Sequence, residues 1–113
     1  MNQFVLREEE TFDWNVKAMV PMQGKRRAVQ FMATFNILDQ EVIDELVGNP
    51  ETRDYSKFLD KALVSFDLPV QDADGKDVTD KDERRDIIKR KGIFVEALLE
   101  AYAAGALSYK AKN

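Results

Sequence analysis

Histidine and cysteine are both absent from the 113-residue chain. Without cysteine the protein has no disulfide, thiolate nucleophile or thiolate zinc ligand. Without histidine it has no Ser-His-Asp triad and no side chain whose ordinary pKa lies near neutral pH. These two absences exclude the catalytic and metal-binding sites that depend on imidazole or sulfur. The lack of cysteine is also compatible with a reducing compartment.

Long apolar runs and an excess of positive charge are missing as well. No segment approaches the run of about 20 apolar residues that a membrane-spanning helix needs, and the N-terminal residues lack the basic region and apolar stretch of a signal peptide. We therefore expect a cytoplasmic protein with no membrane partner. The formal charge of -4 and the pI near 4.9 argue against a general nucleic-acid-binding protein, whose contact face is normally positive.

Two segments near the N-terminus alternate apolar and polar residues, as half-buried strands do. Apolar residues occupy every even position from Phe12 to Val20 and every odd position from Val29 to Ile37. The intervening Pro21-Met22-Gln23-Gly24 predicts a hairpin turn. With a two-residue loop at Gln23-Gly24, facing residues have numbers that sum to 47, and with a four-residue loop the sum is 45. Either register places both apolar sets on one face of the sheet.

The rest of the chain carries helix signals, and helices could cover this apolar face, since an isolated hairpin is not stable in water. The segment Leu63 to Leu68 is ambiguous between a helix end and a short strand. Apolar spacing and capping residues predict the helices. They are a helix after Asp39 that ends at Gly48-Asn49-Pro50, a short helix from Tyr55 to about Val64, a charged helix from the capping box Thr79-Asp80-Lys81-Asp82 to about Lys91, and a final helix from Ile93 to Ala104 that stops at Gly105.

Together these elements predict one α+β domain over residues 1–113, in which an N-terminal antiparallel β-hairpin or small sheet packs against three to four C-terminal α-helices. The hairpin part covers residues 1–38, a mainly helical part covers residues 39–105, and residues 106–113 form a tail. A chain of this length can bury roughly 65% of its extended surface, which is enough for one core.

The acidic segment Asp72-Ala73-Asp74-Gly75 invites comparison with a calcium-binding loop. If Gly75 takes the sixth position of that loop, the first ligand position holds Val70 and the last, normally a bidentate Glu, holds Lys81. The two most important ligands are therefore missing. We predict no metal site and interpret the segment as a tight turn that joins Val70 to Val78.

Basic residues form two clusters, Lys25-Arg26-Arg27 and the segment from Lys76 to Lys91. The second cluster mixes seven bases with five acids, which is typical of a solvated, ion-paired helix face. We expect no nucleic-acid partner, because counterion release needs clustered positive charge. Acidic pairs such as Glu96 and Glu100 have no accompanying nucleophile, metal-ligand set or Gly-rich loop, so we expect neither an enzyme nor a cofactor.

The final helix is apolar around most of its circumference, because Glu96 and Glu100 are its only charged residues between Ile93 and Ala104. Such a helix must be buried on several sides. Its large side chains belong either to the core or to a surface that meets another chain, including a second copy of this one. The candidate surface residues are Phe94, Leu98 and Tyr102, and the small residues that would let a second helix approach closely are Ala101, Ala103, Ala104 and Gly105.

The order of these features resembles the tail assembly chaperones of long-tailed bacteriophages. That family has a Thr-Phe start, a strand leading into a Pro-x-x-Gly-type turn, and a second strand that ends in aromatic residues before an acidic helix. Its middle segment has a short helix that leads to an aromatic residue and a D-x-x-G-like turn. The resembling segments here are Thr11-Phe12-Asp13-Trp14-Asn15-Val16, Val20-Pro21-Met22-Gln23-Gly24, Val29-Gln30-Phe31-Met32-Ala33-Thr34-Phe35, Asp54 to Leu59, Val64-Ser65-Phe66-Asp67, and Asp72-Ala73-Asp74-Gly75.

The resemblance implies a non-enzymatic role in tail morphogenesis. It implies a protein of the host cytoplasm that binds the helical, apolar tape-measure protein, keeps it soluble and helps to recruit tail-tube subunits. An acidic domain with spare apolar helix surface suits the helix-in-groove mode of recognition. Two alternatives remain open at this point: a tail-terminator or connector-type structural protein that stays in the virion, and a small DNA-binding regulator.

Overall fold

A β-hairpin with a two-residue turn forms the N-terminal part of the fold. The computed structural model describes residues 10–112, with side chains as far as residue 106, so residues 1–9 of the predicted hairpin part and residue 113 of the predicted tail lie outside it. Strands β1 (Thr11–Met22) and β2 (Lys25–Asn36) pair antiparallel without interruption from Thr11↔Asn36 to Met22↔Lys25. Every pair sums to 47, which confirms the two-residue register.

The turn suits the twist of the strands it joins. Gln23 and Gly24 have positive φ angles of 51° and 77°, as a two-residue hairpin turn of the primed type requires. Pro21 is tolerated inside β1 because its position forms no backbone hydrogen bond to β2. Ile37 N–H donates to Glu10 C=O at 2.8 Å, so the even positions of β1 bond to β2 while the odd positions, including Pro21, point their backbone groups away from it.

A short third strand completes the sheet on the other side of β2. Strand β3 (Leu63–Phe66) pairs antiparallel with residues 33–35 of β2, giving the order β1-β2-β3. Beyond it, Asp67 Oδ1 accepts Met32 N–H at 2.8 Å, and Asp67 N–H donates to Met32 C=O at 3.0 Å. The described sheet is therefore three strands wide near the helices and two strands wide from Met32 to the hairpin tip. The ambiguous segment after residue 62 is a strand.

Four helical segments follow the predicted order. Helix α1 (Gln40–Ile43) continues directly into a π-helical segment (Asp44–Gly48), and the remaining helices are α2 (Tyr55–Ala62), α3 (Lys81–Lys89) and α4 (Gly92–Lys112). The α3 cap is Asp80, whose carboxylate accepts Glu83 N–H at 3.0 Å, one residue later than predicted for Thr79.

The predicted end of the last helix at Gly105 is wrong, because α4 continues to Lys112 and so includes most of the predicted tail. Gly105 serves close packing instead of termination. A Cβ atom there would overlap the Phe12 ring and lie 3.1 Å from Trp14 Cδ2. Glycine is the residue that lets the helix approach β1 this closely.

The core lies between one face of the sheet and the helices α2, α3 and α4. It is built from the alternating positions of the hairpin and one face of each of these helices, which confirms the α+β class with an N-terminal sheet and C-terminal helices. The residues with the most completely buried side chains are Val16, Phe35, Leu59, Leu63 and Leu98. No helix within residues 10–112 has the length and apolar character to cross a membrane.

The connection between β3 and α3 is held by one arginine. Arg84 donates from its guanidinium to the carbonyls of Phe66 at 3.0 Å, Leu68 at 2.8 Å and Val78 at 3.3 Å, and its guanidinium carbon lies 4.7 Å from the centre of the Phe66 ring. The turn predicted between Val70 and Val78 is confirmed. Its Asp72 carboxylate accepts the N–H groups of residues 74 and 76, and Val78 N–H donates to Val70 C=O at 2.8 Å.

Candidate partner-binding groove

The three side chains predicted as a partner surface lie mainly in the core. Leu98 is 0% exposed and Tyr102 is 6% exposed. Phe94 is half-buried, and its ring centre lies 6.2 Å from that of Phe31 on β2. Leu98 is therefore a core residue, which is one of the two roles that the sequence allowed. One side of Tyr102 reaches an open surface.

That surface is an apolar groove on the side of α4 that faces α2 and the π-helical segment, and we call it the helix groove. Its volume is about 290 Å³. Its walls come from three helical segments that are far apart in the sequence, and none of the lining side chains among residues 10–106 carries a charge. The lining residues are Ile43, Val47, Tyr55, Phe58, Leu99, Tyr102, Ala103 and Ala106.

One wall is positioned by the π-helical segment. Ile43 and Val47 stand on either side of the change from α- to π-helical geometry, and π-helical turns are often found at functional sites. The segment is tied to α2 by hydrogen bonds: Asp54 N–H donates to Leu46 C=O at 2.8 Å, and the Arg53 guanidinium donates to Val47 C=O at 3.0 Å and to the Tyr55 hydroxyl at 2.9 Å. The wall is thereby held relative to the start of α2.

Tyr102 joins the helix groove to the core. Its ring centre lies 5.1 Å from that of Phe58, 5.7 Å from that of Phe12 and 5.7 Å from that of Phe35. Leu38 N–H donates to its hydroxyl at 3.1 Å. Burial raises the pKa of this phenol above its ordinary value, and the hydrogen bond from Leu38 partly opposes the rise. A neutral tyrosine is therefore a fixed part of the groove floor.

The remaining floor of the groove is made of small residues. Ala103 is exposed and Ala106 is half-buried, and both line the groove beside Leu99. Small side chains on a helix surface let a second helix come close to its backbone. Of the small residues singled out in the sequence, Ala101 and Gly105 are buried, whereas Ala103 and Ala104 are exposed. Only Ala103 of the exposed pair lines the groove.

The helix groove is suited to binding an apolar surface and holds no reactive groups. The polar side-chain atoms of its described lining residues are the two tyrosine hydroxyls, of which that of Tyr55 accepts from Arg53 and that of Tyr102 accepts from Leu38 N–H. Among the described residues, no group of three or more acidic side chains is arranged to hold a metal ion. The chemistry available to the groove is the removal of apolar side chains from water.

Comparison of the chain with protein-family models, curated proteins and solved structures finds no match.

The sequence points to α4 as a partner surface but not to the groove residues of the other two helical segments. It predicts the helices that contain Ile43, Val47 and Tyr55, but it does not predict that these side chains line a groove. The small residues of α4 were the one signal that pointed to the site, and they did so without separating Ala103 from its buried neighbours. The register of three helices against one another decides which apolar side chains stay open, and no local pattern encodes it.

Proposed function

We propose that this protein is a non-enzymatic tail assembly chaperone of a long-tailed bacteriophage. In this proposal it binds apolar helical stretches of the tape-measure protein in the helix groove, keeps that protein soluble in the host cytoplasm, and helps to recruit tail-tube subunits. The resemblance of the sequence to that family supplies the biological setting. The groove supplies the physical means of binding.

The observation that carries the proposal is an uncharged groove between three helical segments, open on a helix surface with small side chains. Binding an amphipathic helix needs apolar pockets for side chains spaced by three and four residues. The exposed Ala103 and half-buried Ala106 allow close approach, and the half-buried Leu99 and exposed Tyr55 offer apolar surface at the sides. A long apolar helical protein would otherwise expose stripes that aggregate.

The test compares two alanines of α4 that are adjacent and exposed. The chain is co-expressed with the tagged tape-measure protein and with the products of neighbouring tail genes, and complexes are isolated by affinity and size-exclusion chromatography. We expect Ala103→Glu to abolish co-purification of the tape-measure protein, because it places a charge in the groove. We expect Ala104→Glu to bind like the unchanged chain, because this position does not line the groove.

Both substitutions lie at exposed positions of the same helix, and glutamate has high helix propensity, so the two variants should share one melting temperature. Equal binding by both variants contradicts the groove as the binding site. Failure of the unchanged chain to co-purify with the tape-measure protein contradicts the chaperone function. Recovery of the chain from purified virions would favour a structural tail protein instead.

A further inference from the structure

The distal part of the hairpin is a second exposed surface, and we call residues 19–29 the arm. Every residue from Pro21 to Ala28 is exposed. Met19 and Met22 are 44% and 45% exposed. In the described structure β3 pairs only with residues 33–35 of β2 and does not extend to this region, whereas α4 reaches its base, where Met19, Pro21 and Arg26 share a cleft with Glu96 and Glu100. The arm therefore presents both apolar and charged side chains to its surroundings.

Charge is sharply divided between the arm and the segment that follows the hairpin. Residues 14–38 contain four basic residues and no acidic residue, whereas residues 39–52 contain five acidic residues and no basic residue. The acidic side chains of α1 and the π-helical segment point outward: Glu41, Asp44 and Glu45 are all exposed. The groove-lining residues Ile43 and Val47 take the other side of this segment.

The two charged regions cannot neutralise each other within one molecule. Ten residues of extended strand separate Arg26 from Asn36, a distance of roughly 33 Å, and the molecule extends 51 Å along its longest axis. The acidic segment begins just after the C-terminal end of β2, whereas Lys25, Arg26 and Arg27 lie at its N-terminal end, beside the hairpin turn. Only another molecule can bring the two together.

Acidic residues of α4 share a cleft with two of the four basic residues of the hairpin. Lys17 and Arg26 share a cleft of about 400 Å³ with Glu96 and Glu100. Lys25 and Arg27 instead line a separate open hollow of about 330 Å³ with Met22 and Gln23, and no acidic residue with a described side chain lines that hollow. Within the described part of the chain the ion pairs are Arg85 with Asp82 and Lys89 with Asp60, on other elements.

We propose that the arm binds the acidic outer face of α1 and the π-helical segment in a second copy of this chain. Lys25 and Arg27 would face Glu41, Asp44 and Glu45 of the neighbouring molecule, and Met22 would supply adaptable apolar contact. The arm and its acceptor are different surfaces, so the contact is head-to-tail. Each molecule then has one of each, and assembly grows with concentration into a ring or an open chain.

This proposal goes beyond binding in the helix groove and does not depend on it. The acceptor face is the outward side of the segment whose inner side lines the groove, so a bound arm would leave the groove open. Self-association can also be measured on the purified protein alone. A failure of either proposal can thus be recognised separately.

The first measurement is sedimentation velocity over a series of protein concentrations at low and high salt. We expect the sedimentation coefficient of the unchanged chain to rise with concentration and the rise to disappear at high salt, where exposed charges are screened. The double variant Lys25→Glu/Arg27→Glu should sediment as a monomer throughout. The matched control Lys57→Glu/Lys61→Glu changes the net charge equally at exposed residues of α2 and should behave like the unchanged chain.

The second measurement is a mixing experiment. The double variant Asp44→Lys/Glu45→Lys has a basic arm and a basic acceptor, and should be monomeric on its own. In a mixture with the Lys25→Glu/Arg27→Glu variant, the acidic arm of that variant can bind the basic acceptor face of this one. The mixture should therefore form hetero-oligomers. Circular dichroism checks that each variant keeps its helices.

Three outcomes would overturn the proposal. They are an unchanged chain that stays monomeric at every concentration and salt, an equal effect of the arm and control variants, and a mixture of the two charge-reversed variants that stays monomeric. The variant Ala103→Glu should still self-associate, and the arm variant should still co-purify with the tape-measure protein. If Ala103→Glu lost self-association, or the arm variant lost tape-measure binding, the helix groove and the arm would belong to one binding surface.

Discussion

At the scale of single residues, Tyr102 connects more parts of the structure than any local pattern suggests. It stands on α4, contacts aromatic rings from β1, β2 and α2, and accepts a hydrogen bond from Leu38 N–H between β2 and α1. The sequence predicted that this side chain would be buried or bound. It could not show the hydroxyl's partner, which lies 64 residues away along the chain.

We expect Tyr102→Phe to lower the free energy of unfolding at neutral pH by about 1–3 kcal/mol, because Leu38 N–H loses its acceptor in a partly buried place. The measurement is urea denaturation followed by circular dichroism. A loss that equals zero within error would show that water replaces the hydroxyl.

The same substitution should change the dependence of stability on pH. The pKa of Tyr102 is raised in the folded state, so the unfolded chain releases this proton first as the pH rises past about 10. The stability associated with the neutral phenol is present below that pH and is lost above it. The difference in unfolding free energy between the unchanged chain and Tyr102→Phe should therefore shrink as the pH rises above 10.

At the scale of elements, the hairpin was predictable in detail and the last helix was not. Two alternating runs around a Pro/Gly turn leave few registers, because a slip by one residue would expose the whole apolar set. Glycine near the end of a helical pattern has two meanings, a stop or a close contact. Choosing between them at Gly105 requires knowing that Phe12 and Trp14 lie beneath it.

We expect Gly105→Ala to destabilise the protein although alanine is the better helix former. Overpacking against Phe12 and Trp14 costs about 1–3 kcal/mol, which exceeds the gain in helix propensity of about 1 kcal/mol. Thermal unfolding measures the effect. The control is Gly92→Ala, where an added Cβ atom meets no atom within 4 Å, and that variant should be neutral or slightly more stable. Equal effects of the two variants would remove the packing explanation.

At the scale of the whole molecule, the helix groove and the arm were beyond the reach of sequence patterns for one reason. Each depends on where other elements end. The groove stays open because α1, α2 and α4 meet along only part of their faces, and the arm projects because β3 is four residues long while β2 has twelve. Periodicity reports that a residue has an apolar face but not whether that face is covered.

We expect the arm to contribute little to folding. Replacing residues 21–26 with Asn-Gly would join Val20 to Arg27, a facing pair in the observed register, through a favoured two-residue turn. Because the removed residues are exposed, the free energy of unfolding should change by no more than about 0.5 kcal/mol, as for other surface changes. Urea denaturation provides the measurement. A loss above about 2 kcal/mol would show that the arm supports the core.

Asp67 has a consequence for how this sheet meets other polypeptides. Its carboxylate and its own amide occupy both backbone groups of Met32 that a longer third strand would have used. Both backbone groups of Met32 are thus already bonded within the chain. A strand from another molecule therefore cannot extend the pairing of β3 along β2 at this residue. At this position β2 is not available for the edge-to-edge pairing from which amyloid-like sheets grow.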